Sequence, residues 1–136
     1  MQKYLIDTNI IVELLRSNKS IGQKFVSVGF ENCYVSTFTL CELYFGAYNI
    51  KHTKYFAAEM NKIKYIYEKF KIITAIADAE VFGEIKAHLY SIGKKVDEFD
   101  ILIGSLAVEK NMTVVTDNVK HFENMPGVKY ENWLER

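Results

Sequence analysis

Four acids stand where apolar runs begin or end. Asp7 follows "YLI", Glu42 lies in the segment after "CYVS", Asp100 opens "DILIGSLAV", and Asp117 follows "TVVT". Carboxylates gathered at one place repel each other, and like charges force some to stay protonated. A divalent cation removes that conflict. Mg2+ prefers hard oxygen donors, keeps several waters, and is commonly held by one or two carboxylates plus substrate phosphate. The three histidines, at 52, 88 and 121, are scattered and form no HExxH pattern. An acidic set without His or Cys ligand spacing points to Mg2+ or Mn2+ rather than zinc. A cation held this way can polarise a phosphoryl oxygen and activate water for in-line displacement.

Neutral polar residues flank the acids: Thr8 and Asn9 beside Asp7, Ser36 and Thr37 before the Glu42 segment, Thr116 and Asn118 around Asp117. They can cap helices, orient carboxylates or reach phosphate oxygens. Capping is the default for Asn9 and Thr37. Each acid alone also has a plainer reading. Glu42 and Asp100 suit a helix N-terminus, where a negative charge is worth about 0.3–1 kcal/mol when exposed. Asp117-Asn118 is ordinary turn chemistry. Asp7 resists that treatment, because it ends one apolar run and begins another.

The elements that must position these residues alternate along the chain. Strands are predicted near 3–6, 33–36, 71–74, 113–116 and 128–132, the last at an edge. Helices are predicted over about 9–16, 20–28, 38–49, 53–69, 76–92 and 98–110. Thr39 and Glu42 have capping-box spacing for the third helix. Strands separated by helices imply a mainly parallel sheet with helices on both faces, and such sheets place ligand sites outside the carboxyl ends of their strands. Asp7, Glu42 and Asp117 then share one edge, and Asp100 can join them from its helix start.

The 136 residues suffice for one domain with a sizeable core. Lys plus Arg and Asp plus Glu both total 17, so net charge announces no nucleic-acid partner. The distribution is less even: residues 51–71 hold six lysines against two glutamates, interleaved with tyrosines and phenylalanines. Lysines can follow a phosphate backbone and aromatics can stack on unpaired bases. The aromatics fit a partner groove or dimer surface better. The longest uncharged stretch, Asn32 to Cys41, is ten residues, short of the roughly 20 of a membrane helix. No export signal opens the chain, and Cys33 and Cys41 read as buried free thiols in a reducing cytoplasm.

The motifs resemble those of PIN-domain ribonucleases and, among them, the VapC toxins of type II toxin–antitoxin pairs. The matching pieces are "LIDTNIIVELL", "STFTLCELYFG", "DEFDILIGSLAVEKNMTVVTDNVKHF" and the closing "PGVKYENW", in order over almost the whole chain. The resemblance implies a single PIN domain over 1–136, a three-layer α/β/α sandwich. It implies Asp7 and Asp100 as principal metal ligands, Glu42 as the second acid and Asp117 as the fourth, more variable one. It further implies Mg2+- or Mn2+-dependent hydrolysis of RNA, such as tRNA or rRNA, leaving 5′-phosphate and 3′-hydroxyl ends. Partners implied are a VapB-type antitoxin and a second copy of the chain, as a homodimer or as a heterotetramer or octamer with antitoxin. Asp97, three residues before Asp100, is either a helix cap or an extra acid. Gly104 and Ser105 stand where the family often has alanine; both are small, so close packing of that helix should survive.

Two other classes compete. A Mg2+-dependent phosphoacceptor domain also uses acids at strand ends, but it would want an adjacent acidic pair after the first strand and a lysine after a late one. "LIDTN" and "VVTDN" supply neither. A non-catalytic PIN-like RNA-binding module would have no need of four acids.

Overall fold

The computed structural model describes residues 2–74 and 77–134. Five short strands, β1 (Tyr4–Ile6), β2 (Cys33–Ser36), β3 (Lys71–Ile73), β4 (Thr113–Val115) and β5 (Lys129–Glu131), form one sheet in the order β3-β2-β1-β4-β5. Every pairing is parallel, with Leu5 beside Tyr34 on one side and Val114 on the other. The helices are α1 (Thr8–Leu15), α2 (Lys19–Val28), α3 (Thr37–Asn49), α4 (Phe56–Lys69), α5 (Ala79–Ser91), α6 (Glu98–Lys110) and the single turn α7 (Val119–Phe122). This is the three-layer α/β/α arrangement expected from the alternating pattern.

The pleat sends successive side chains to opposite faces. Ile6, Cys33, Val35 and Val115 therefore pack on one side with Ile10, Ile21, Phe25, Leu40, Ile66 and Trp133. Leu5 and Val114 pack on the other with Ile85, Leu89, Ile103, Leu106 and Phe122. Because both faces are covered, the central β1 reads as an unbroken apolar run rather than as alternation, while the edge strands β3 and β5 carry lysines.

The chain runs outward from β1 through β2 to β3, then returns to place β4 on β1's other side. Between the carboxyl ends of β1 and β4 the topology switches direction, and there crevices open in sheets of this kind. Asp7 leaves β1 at that point, its N–H donating to the Val115 carbonyl at 2.9 Å.

Several local expectations are corrected. Ser36, not Thr39, caps α3: its Oγ accepts from the Thr39 N–H at 3.2 Å, which puts Glu42 in the second turn and leaves no Thr39–Glu42 capping box. Asp7 is the N-cap of α1, so Asn9 is not a cap, and the Thr37 hydroxyl instead donates to the Ile73 carbonyl at 3.4 Å. Cys33 is buried but Cys41 is exposed, because α3 turns Leu40 and Ala47 to the core and Cys41 away from it. A 3-10 turn at Phe30–Asn32 and helix α7 were not predicted. The fourth helix starts at Phe56, after turns that use the Thr53 hydroxyl. Helix α5 starts at Ala79 behind Asp78, which caps it; residue 76 of the predicted helix lies outside the described residues. No helix among the described residues is long and apolar enough to cross a membrane.

Candidate active site

Asp7 is the centre of the arrangement. It is 2% exposed, and both of its carboxylate oxygens accept hydrogen bonds. Oδ1 accepts from the Thr8 N–H at 2.8 Å; Oδ2 accepts from the Thr116 hydroxyl at 2.8 Å and from Asn9 Nδ2 at 3.3 Å. Thr116, the first residue after β4, is itself wholly buried, and its oxygen accepts from the Asn118 N–H at 2.9 Å. The Asn9 side-chain Oδ1 accepts from the Asp117 N–H at 2.9 Å. These bonds tie the end of β1 to the end of β4 and hold Asp7 in one rotamer. Asn132, beyond β5, donates to Asp117 Oδ1 at 3.2 Å.

Glu42 enters from α3. Its Oε1 accepts from the Thr8 hydroxyl at 2.6 Å, and that hydroxyl also lies 3.3 Å from the Thr39 hydroxyl. Asp100 enters from the first turn of α6, where its Oδ2 lies 2.7 Å from His121 Nδ1 on α7. Asp97 is the helix cap, accepting from the Phe99 N–H at 2.8 Å.

The acids act on one another electrostatically. Burial pushes the Asp7 carboxyl above the ordinary range, against bonds from Thr116, Thr8 and Asn9 and the field of His121. Burial also raises Glu42; the Thr8 bond opposes this, while Asp7, Asp100 and Asp97 add to it. Asp100 is raised by burial, then by Asp7, with His121 pulling it down and Asp97 pushing it up. Asp7, Glu42 and Asp100 therefore share one field. Among the described residues no three acids, histidines or cysteines close to metal-holding spacing, so the carboxylates form an open set rather than a finished cage.

Of the expected polar neighbours, Thr8, Asn9 and Thr116 touch the acids directly, and Asn118 is exposed beside them. Ser36 does not: it is buried and acts through the cap that sets the start of α3. Sequence reasoning missed His121, Thr39 and Asn132. His121 belongs to no sequence motif, and its spacing of four residues from Asp117 is the signal the sequence carries for it.

The fold and the acidic crevice define a class. A family model described as PIN domain matches residues 4–128. The ribonuclease VapC2 of Haemophilus influenzae is 31% identical, covering 98% of this chain and 100% of its own length. The tRNA(fMet)-specific endonuclease VapC of Salmonella typhimurium is 26% identical, covering 98% of this chain and 99% of its own. Among solved structures, DNA-bound VapBC from Salmonella typhimurium superposes with a TM-score of 0.87 at 25% identity, covering 98% of this chain and 100% of that one. VapBC2 from Rickettsia felis, bound to a promoter DNA fragment, gives 0.84 at 27% identity with the same coverage. The chain belongs to the PIN-domain family, in its VapC branch.

Proposed function

We propose that this chain is a Mg2+-dependent endoribonuclease, the toxin of a VapBC-type pair, with Mn2+ able to substitute. The observation that carries the reading is the shared field of Asp7, Glu42 and Asp100 at the switch between β1 and β4. Burial raises all three carboxyls, and the charge of Asp7 raises Glu42 and Asp100 further, so the set is reluctant to ionise, an electrostatic state that a divalent cation would relieve. An all-oxygen, open set suits Mg2+, which needs only one or two carboxylates and retains water.

Asp7 and Asp100 would hold the cation, with Glu42 and Asp117 completing the acidic ring. When bound, Mg2+ supplies Lewis-acid stabilisation of the charge developing on a phosphoryl group and makes water a competent nucleophile at neutral pH. The chain's own residues do the positioning. Thr116 and Asn9 fix the Asp7 carboxylate, Thr8 fixes Glu42, and exposed Asn118 would contact a phosphate oxygen. Such pre-set geometry spares the site reorganisation during the reaction.

The RNA substrate is tRNA or rRNA. Neutralisation falls to a VapB-type antitoxin. The exposed Phe45, Tyr48 and Tyr67 border an apolar groove of about 540 Å³ between α3, α4 and β3, a surface suited to a protein partner or to the second copy of a homodimer. The protein acts in the cytoplasm, as one PIN domain.

The test is cleavage of total tRNA and of rRNA fragments by the purified chain, first in EDTA and then with Mg2+ or Mn2+. Metal-dependent cleavage by the wild type and its loss in Asp100→Asn support the reading. Intact RNA under all conditions would favour the non-catalytic module.

A further inference from the structure

Beside the acidic crevice lies a second cavity, of about 400 Å³, between the end of α5 and the start of α6. Its walls are apolar at Leu89 and Ile101, and its rim carries Lys86, Lys94, Lys95 and Tyr90. Tyr90 is 68% exposed although it is a large aromatic. Lys86 is already committed to Glu98 at 2.7 Å. Lys94 and Lys95 are exposed and form no ion pair among the described residues.

The backbone holds Lys94 in place, with Lys95 next to it. Helix α5 closes with Gly93 at φ 71°, the Gly93 N–H donating to the Tyr90 carbonyl at 3.1 Å and the Lys94 N–H to the Leu89 carbonyl at 2.9 Å. That double bond pattern is a Schellman closure, and its left-handed position favours glycine. The chain then runs past Lys95 to Asp97, which lines this cavity and caps α6, the helix whose first turn carries Asp100. The cavity and the acidic crevice are therefore neighbours.

We propose that this cavity is a subsite for the nucleotide of single-stranded RNA adjoining the scissile phosphate, with Lys94 and Lys95 on its phosphates and Tyr90 against its base. The proposal rests on the nuclease reading above. RNA approaching the acids meets repulsion, and the chain has no net positive charge to offset it. Two lysines without an ion pair, Lys94 on a fixed turn and Lys95 beside it, supply local attraction next to the repulsive centre. An exposed aromatic over an apolar floor gives a base a surface to stack on, which any base can use.

The test measures binding of a short fluorescein-labelled single-stranded RNA by anisotropy, in EDTA so that no turnover occurs, across a series of salt concentrations. The double variant Lys94→Ala/Lys95→Ala should weaken binding about tenfold and flatten the slope of log K against log salt by about 1.4, since each phosphate contact on a single strand contributes about 0.7. Lys94→Arg/Lys95→Arg should restore both. Tyr90→Ala should weaken binding where Tyr90→Phe does not. An unchanged affinity and slope in the Ala variant, with wild type that cleaves RNA, overturns the subsite and leaves the nuclease reading standing. A variant that changes self-association while keeping RNA affinity overturns it as well, by making the cavity an interface between copies. Wild type that neither binds nor cleaves RNA removes the nuclease reading and the subsite together.

Discussion

Replacing Thr116 by Val tests the polar frame around Asp7. The side chains are nearly isosteric, Thr116 is wholly buried, and only the hydroxyl is lost. With it go the 2.8 Å bond to Asp7 Oδ2 and the acceptor for the Asn118 N–H. A hydrogen bond to a charged group contributes about 1.5–3 kcal/mol, and an unsatisfied donor costs about 1 kcal/mol or more. The added buried methyl returns roughly 0.8 kcal/mol. The net loss is about 2 kcal/mol with Asp7 ionised. Unfolding entropy near 2.1 cal/mol/K per residue, over 136 residues, makes that about 7 °C in melting temperature.

The loss should also depend on pH, with a definite sign. The Thr116 bond lowers the folded-state pKa of Asp7, so it favours the ionised carboxylate. The gap between wild type and Thr116→Val should therefore be largest above the raised Asp7 pKa and shrink as pH falls through it. Urea unfolding from pH 4 to pH 8, without divalent cations, measures both quantities. A gap under about 0.5 kcal/mol at pH 8, or one that stays constant with pH, would refute the argument.

Three further outcomes are expected. Burial raises the folded-state pKa of Asp7, Glu42 and Asp100, so the fold holds protons that the unfolded chain releases. Metal-free stability should then fall as pH rises from about 4 through those raised values, and Mg2+ at neutral pH should restore it in thermal melts. Gly104→Ala puts a Cβ 2.6 Å from Met125 Sδ and 3.4 Å from Val128 Cγ2. Overpacking of about 1–3 kcal/mol then outweighs a helix-propensity gain near 1 kcal/mol, and a second change, Met125→Val, should recover most of the loss in urea unfolding. His121→Asn, which keeps a donor near the place of Nδ1, should hold RNA cleavage closer to wild type than His121→Phe, as single-turnover rates would show.

The features legible in the sequence are those that depend on neighbours along the chain. The apolar triplet of β1 and the Val114-Val115 pair of β4 mark buried strands, and the acids after them mark the carboxyl edge. The start of α6 at Glu98 follows from Asp97 and the apolar run behind it. Features that depend on distant partners were not legible. Thr116 and Asp7 are 109 positions apart, so no periodicity could show that one holds the other. Thr39 looked like a cap because of its spacing to Glu42, but buried Ser36 begins the helix three residues earlier and Thr39 turns to Thr8. Cys41 looked buried by its apolar neighbours, whereas helical rotation exposes it. His121 carried no motif, and only the fold of α7 against α6 brings it to Asp100.

The proposed chemistry requires that Asp7, Glu42 and Asp100 bind a divalent cation. Calorimetric titration of Mn2+ into the metal-free chain tests that most directly, with wild type and Asp100→Asn compared at neutral pH. Saturable binding by the wild type, weakened at least tenfold in a variant that stays folded, is the predicted result; no binding by the wild type, or equal binding by both, would contradict it.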